Sequence, residues 1–196
     1  MSSPDDQPQL SAQPLTFRTK PILTGQLVIL RPVTVDDAPG LVELLNDPEA
    51  RKLTGTHGSV RPGVEARARH WYGSRAELDN QLYLAITERS TSEFVGEVVL
   101  DDLDPDNRSC SFRIALVGPR AYNRGFGSEA TSLVVAHALE TVGLHRVELE
   151  VHDFNPRARH VYERAGFVHE GTKRQALLWQ GQWIDTHIMA VVASRG

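Results

Sequence analysis

The chain has 196 residues, 40% hydrophobic and 23% charged, enough for one sizeable core and too short to need two. A formal charge of −4 and a pI near 6.1 argue against nucleic acid or an anionic membrane as partner, because both select for basic excess on a face. The single cysteine, Cys110, excludes an internal disulfide, and no apolar run approaches the roughly 20 residues of a membrane span, so a soluble, cytoplasmic protein is expected.

Residues 1–20 are rich in Ser, Pro, Gln and Asp and are expected to form a disordered tail, leaving residues 21–196 as one domain. "GQLVILRP" (25–32) reads as a strand closed by proline, and "TVDDAPGLVELLND" (34–47) as a helix with an acidic first turn. Residues 48–62 are broken by Pro and Gly and fit a loop or short helix, and 63–78 are moderately helical. "QLYLAITE" (81–88), "EFVGEVVL" (93–100) and "RSCSFRIALV" (108–117) follow as strands at hairpin spacing, which implies an antiparallel meander. Then the pattern changes to a helix near 127–142, a strand at 146–151, a helix at 156–165, a strand near 167–172 and a last strand at 183–192. The expected fold class is α/β (α+β), with a mixed sheet of about seven strands flanked by helices and no internal repeat.

"YNRGFGSEATSLVVAHALE" (122–140) sets two glycines one residue apart before a helix, where bare backbone permits a sharp turn or a close approach. A P-loop is excluded because no lysine stands in place. The dinucleotide fingerprint matches Gly125, Gly127 and Ala130, but "GPRAYNR" separates the preceding strand from the first glycine, and too few βα units follow. A pyrophosphate cradle of successive N–H groups at a helix N-terminus fits better, and a plain tight turn is the structural alternative.

The run from Ala115 to Gly171 resembles the cofactor-binding half of the GNAT superfamily of N-acetyltransferases, and within it the ribosomal-protein N-terminal acetyltransferase (Rim-type) branch. Gly125 and Gly127 fill the glycine positions of the family's acetyl-CoA loop, followed by Ser128 and Glu129, with Tyr122 where the family prefers Arg or Gln. "NPRARHVYERAGF" places Asn155, Ala158, Tyr162, Glu163, Arg164, Gly166 and Phe167 in register with a second family signature. Gly181, Trp183 and Asp185 match the closing hairpin of the Rim-type branch.

The resemblance implies a sheet whose fourth and fifth strands, 108–117 and 146–151, splay to admit acetyl-CoA as co-substrate. It implies cofactor contacts from Leu116, Val117, Tyr122, Asn123, Arg124, Gly125, Phe126, Gly127, Ser128, Asn155 and Arg159. Asn155 followed by Pro156 is also a good helix start for reasons of backbone geometry alone. Arg120, Arg124, Arg157 and Arg159 gather near two helix starts, where they face either phosphates or solvent. Tyr162 has the spacing of a core aromatic, and the resemblance makes it the general acid that protonates the leaving thiolate. Glu150 is the expected base, with Glu97 as runner-up; Glu148 and His152 share the strand parity of Glu150. The histidines form no metal-binding pattern, so no metal and no cysteine nucleophile are expected.

The implied activity is direct acetyl transfer to a primary amine on a protein or peptide N-terminus, with polyamine or aminoglycoside acetylation and a non-catalytic acyl-CoA-binding module as alternatives. The acceptor walls are expected from residues 48–62 and 174–182, and self-association into a homodimer is left open.

Overall fold

The computed structural model describes residues 15–58, 62–75 and 77–193. Its centre is an eight-stranded sheet built from β1 (Leu23–Thr24), β2 (Val28–Pro32), β3 (Leu82–Glu88), β4 (Phe94–Asp104), β5 (Ser109–Leu116), β6 (Arg146–His152), β7 (Val168–Trp179) and β8 (Gln182–Val192). The spatial order is β1-β2-β3-β4-β5-β6-β8-β7. All neighbours are antiparallel except β5 and β6, which run parallel. The expected count of seven rises to eight because Leu23–Thr24 folds back on Leu30 and Ile29 as a short edge. The splayed pair is therefore β5 and β6. The closing hairpin is also longer than expected, since β7 continues to Trp179.

Helices α1 (Ala38–Asn46), α2 (Pro48–Leu53) and α3 (Val64–Arg75) lie between β2 and β3; α4 (Gly118–Ala121), α5 (Phe126–Ala136) and α6 (Pro156–Arg164) belong to the second half. Local chemistry fixes their starts. Asp37 receives the Thr34 N–H at 2.8 Å and both arms of the Arg31 guanidinium, at 2.6 and 2.8 Å, just ahead of α1. Asp47 caps α2 by accepting from Ala50 N, with Pro48 in the first turn. The predicted helix over 127–142 divides into α5 and a π-helical segment, His137–Val142, which stops where Gly143 turns left-handed at φ 81°.

β3 is buried along six of its seven residues, because helices cover both faces of the sheet centre. Leu84, Ile86, Val98, Leu100 and Phe112 form the main packing, each buried aliphatic contributing roughly 1.5–3 kcal/mol relative to exposure. The expected tail boundary also moves. Phe17 is only 1% exposed and donates its N–H to Asp79 O at 2.7 Å, and Lys20 donates to Gln81 O, so residues assigned to the tail belong to the packed structure. Residues 1–14 lie outside the described residues.

Candidate active site

Only three residue pairs join β5 to β6: Ser109 to Arg146, Cys110 to Val147 and Ser111 to Glu148. Beyond them the strands part, and a cavity of about 730 Å³ opens between their C-terminal ends. Directly paired residues share a face of a sheet, so Glu97 lies with Ala115, and Ser111 with Glu148. One face therefore carries Glu97, Arg113, Glu148, Glu150 and His152. The other carries Phe112, Ile114 and Leu116, and meets α5 and α6.

The α5 side is made mostly of backbone. Gly125, the residue before α5, sits at φ 84°, a conformation that L side chains rarely adopt, and a Cβ there would meet Leu27 Cδ1 at 2.9 Å. The first intrahelical bond is made by Glu129 N to Gly125 O, at 3.0 Å. The amides of Phe126, Gly127 and Ser128 precede it, and all three residues line the cavity. They are placed as an anion cradle would need, at the positive end of α5, with no Cβ on Gly127 to obstruct them. Glu129 steadies the loop by accepting from Gln26, Leu27 and Val28 N–H at 2.7–2.8 Å. Burial tends to raise its pKa, but these three donors outweigh it and hold the carboxyl below the ordinary value.

Of the expected contacts, Leu116, Tyr122, Asn123, Gly125, Phe126, Gly127, Ser128 and Asn155 line the cavity. Three do not. Val117 is fully buried, and its N–H is already spent on Val95 O at 2.9 Å. Backbone direction alternates along the ladder, so the amide of Leu116 points away from β4 into the gap left by β6. Arg124 turns to Glu88 at 2.6 Å and lies over the Phe126 ring, while Arg159 pairs with Glu163 one turn on. Arg120 is held by Glu43 and Glu93. Among these arginines Arg157 lines the cavity, its guanidinium 4.3 Å from the centre of the Tyr122 ring, and burial pushes the Tyr122 hydroxyl up to about 12. Asn155 caps α6, accepting from Ala158 N at 3.2 Å, so its structural and cavity-lining positions coincide.

Tyr162 is 7% exposed, and its ring packs against Phe112 and Phe167, both centroids 5.9 Å away. Its hydroxyl has no hydrogen-bond partner among the described residues, although the residue lines the cavity. Burial alone raises its pKa, keeping the phenol protonated.

The opposite face holds the acids. Glu150 is about half-exposed and ion-paired with Lys173 from β7. Glu148 is drawn off by Arg146, whereas His152 binds Thr186 Oγ1 through Nδ1 at 2.9 Å, with burial lowering its pKa against the opposing pull of Glu150. Glu97 is 6% exposed; its Oε2 accepts from the Tyr72 hydroxyl at 2.8 Å, and its Oε1 stands 3.5 Å from Arg113. Burial raises its pKa, against the opposing pull of Arg113 and Tyr72. Tyr72 and Arg113 carried no sequence signal of their own; the β4–β5 register is what sets Arg113 on the face of Glu97. The expected acceptor walls meet here, where Gly55 approaches His152 and Leu177 and the rings of His57 and Trp179 stand 5.4 Å apart. No group able to hold a metal occurs among the described residues.

The chain resembles, at 29% identity over 87% of its length and 97% of the relative's, a protein of Bacillus subtilis named "Probable N-acetyltransferase YjcK". A spermidine N(1)-acetyltransferase of Vibrio cholerae is 27% identical over 60% of this chain and 67% of its own. In fold, the chain superposes on spermidine N-acetyltransferase from Vibrio cholerae in complex with CoA and spermine, with a TM-score of 0.77, 20% identity and coverage of 86% and 96%. A GNAT-family acetyltransferase from Bacillus anthracis gives a TM-score of 0.74 at 16% identity, covering 88% and 98%. Residues 28–168 match the family described as the acetyltransferase (GNAT) domain, and the chain, with a splayed sheet and a glycine cradle at the head of α5, belongs to that family as an acetyl-CoA-dependent N-acetyltransferase.

Proposed function

We propose that the acceptor is a primary amine carried singly, as on a protein or peptide N-terminus, and that it attacks the thioester directly in a ternary complex. The supporting observation is charge. Glu97 and Glu150 are the carboxylates among the cavity-lining residues, and each already faces a cation, Arg113 and Lys173 respectively. A polyamine brings several ammonium groups and favours carboxylates free to meet them, whereas a single amine does not. The spermidine acetyltransferases among the relatives support polyamine acetylation as a second reading. The Rim-type branch rests on Ser128, Glu129, Gly181, Trp183 and Asp185, and the relatives above, a probable N-acetyltransferase and spermidine acetyltransferases, do not support it.

In this reading the amides of Phe126, Gly127 and Ser128 hold the pyrophosphate, with Arg157 and Asn155 beside it. Bound acetyl-CoA supplies an activated acetyl group as a thioester. The Leu116 N–H stabilises the oxyanion that develops when nitrogen attacks, and a carboxylate on the opposite face takes the amine proton. Tyr162 then gives its proton to the departing sulfur. A thiol with a pKa of about 8.5 is a far stronger acid than water, so its thiolate leaves readily, and the general-acid step limits how much thiolate must build up.

The test is a panel of N-terminal peptides, spermidine, spermine and aminoglycosides, scored by release of the CoA thiol. Peptide amines should show the higher kcat/KM. A higher value for spermidine would overturn the single-amine reading, and acetyl-CoA binding without turnover of any amine would favour a binding module.

A further inference from the structure

We propose that Glu97, rather than Glu150, takes the proton from the acceptor amine, directly or through one water, and that Tyr72 and Arg113 position its carboxylate for that task. The inference rests on the acetyltransferase reading of the cavity and names the group that completes it.

The sheet register supplies the first argument. Glu97 is paired with Ala115, the residue next to Leu116, so its carboxylate projects one strand position from the amide assigned to the oxyanion. It projects on the face opposite Leu116 and Tyr162, the side from which an amine can reach the reacting carbon without crossing the cofactor. Glu97 is buried yet lines the cavity, so its remaining accessible surface opens toward the substrate.

The second argument is the way the carboxylate is held. The Tyr72 hydroxyl, from α3, fixes Oε2 at 2.8 Å. Arg113, from β5, faces Oε1 at 3.5 Å, too far for a full hydrogen bond, which leaves lone pairs on that oxygen for a proton arriving from the cavity. Arg113 is kept at this distance by other partners: Asp101 Oδ2 at 3.0 Å from Nε and the Tyr83 hydroxyl at 2.8 Å. The charged and titratable groups facing Glu97 are thus Tyr72 from α3, Tyr83 from β3, Asp101 from β4 and Arg113 from β5.

The competing groups are less suited. Glu150 is about half-exposed and shares its charge with Lys173, so nothing holds it in one orientation toward the cavity as Tyr72 holds Glu97. His152 has Nδ1 committed to Thr186, and burial weakens it as a base. Burial strengthens Glu97 as a base, since a carboxylate removed from water holds a proton more tightly.

Two protons leave the nitrogen. The ammonium loses the first to Glu97, which passes it to water; the resulting amine forms the C–N bond, and its nitrogen gives the second to Glu97 as the C–S bond breaks, with the electron pair leaving on sulfur. Sulfur is protonated by Tyr162, and solvent re-protonates Tyr162 and relieves Glu97 of its proton as products depart.

Glu97→Gln should lower kcat by roughly 10²–10⁴-fold with acetyl-CoA affinity retained, a larger loss than Glu150→Gln causes. Tyr72→Phe should move the acid limb of the kcat–pH profile to higher pH, because the hydrogen bond it removes favours the ionised carboxylate. A limb belonging to the substrate amine would stay in place. A Glu97→Gln enzyme within threefold of the parent overturns the proposal, as does a Tyr72→Phe profile superimposable on the parent's. If Glu97→Gln fails to fold, the Tyr72→Phe profile decides alone. Failure of the acetyltransferase reading is distinguishable, because the parent itself would then release no CoA thiol with any amine.

Discussion

The two sides of the splay are built by different means. On the α5 side the work falls to backbone over a short contiguous stretch, where a left-handed Gly125 and three amides not yet committed to the helix form the cradle. On the opposite side, Glu97, Tyr72, Arg113, Asp101 and Tyr83 come from four different elements and touch only because the sheet register and α3 bring them together. A site made of backbone amides does not depend on side-chain identity. A side-chain network can be rewritten one residue at a time, so acceptor chemistry is the part free to diverge.

That contrast can be broken from either side. Tyr162→Phe removes only a hydroxyl with no hydrogen-bond partner among the described residues, so stability and acetyl-CoA affinity should hardly change while kcat falls by roughly 10²–10⁴-fold. Equal turnover on a good acceptor would return Tyr162 to a packing role. Gly127→Val should weaken acetyl-CoA binding at least tenfold, about 1.4 kcal/mol, with the fold intact, because the nearest atom to an added Cβ, Leu116 Cδ1 at 3.4 Å, belongs to a side chain able to yield. Unchanged calorimetric affinity would remove the cradle from the account.

Smaller effects sharpen the comparison. Glu129→Ala frees three N–H groups and should lower the melting temperature by a few degrees. Because the folded-state pKa of Glu129 is depressed, this contribution is present above the ordinary glutamate range and is lost as pH falls through the lowered value. Parent and variant should therefore converge in acid; a constant gap between them would assign the effect to packing. Lys173→Met should change stability by less than about 1 kcal/mol, as expected for an exposed pair, yet raise turnover of spermidine relative to a peptide by unmasking Glu150. An unchanged ratio would show that Glu150 does not bear on acceptor choice.

Sequence carried the backbone side well. Gly125 and Gly127 announce a turn into a helix, Asn155-Pro156 announces another, and both fall where expected. It carried side-chain direction poorly. Arg124 and Arg159 stand beside those helix starts in the chain, but spacing says nothing of the partners that turn them toward Glu88 and Glu163. Val117 differs from Leu116 only in ladder parity, which depends on the register with β4. The Tyr72 contact with Glu97 spans 25 residues and belongs to a helix with almost no amphipathic pattern, so nothing local foretold it. Strand parity did group Glu148, Glu150 and His152 correctly, but not the cations that would neutralise two of them.

Phe17 carries a consequence for the order in which the molecule is completed. Its neighbour Thr16 donates to Asp79 O across 63 residues, and Phe17 donates its own N–H to the same carbonyl. During synthesis the aromatic ring emerges early, but its seat exists only after α3 and the start of β3 have been made. These early residues thus wait for a seat that is made 63 residues later. A chain begun at Pro21 lacks this closing piece and leaves a gap where a phenyl ring should be, a loss comparable to the roughly 3–5 kcal/mol of a buried Phe→Ala change. Any shortened version meant to keep the native melting temperature has to start upstream of Thr16.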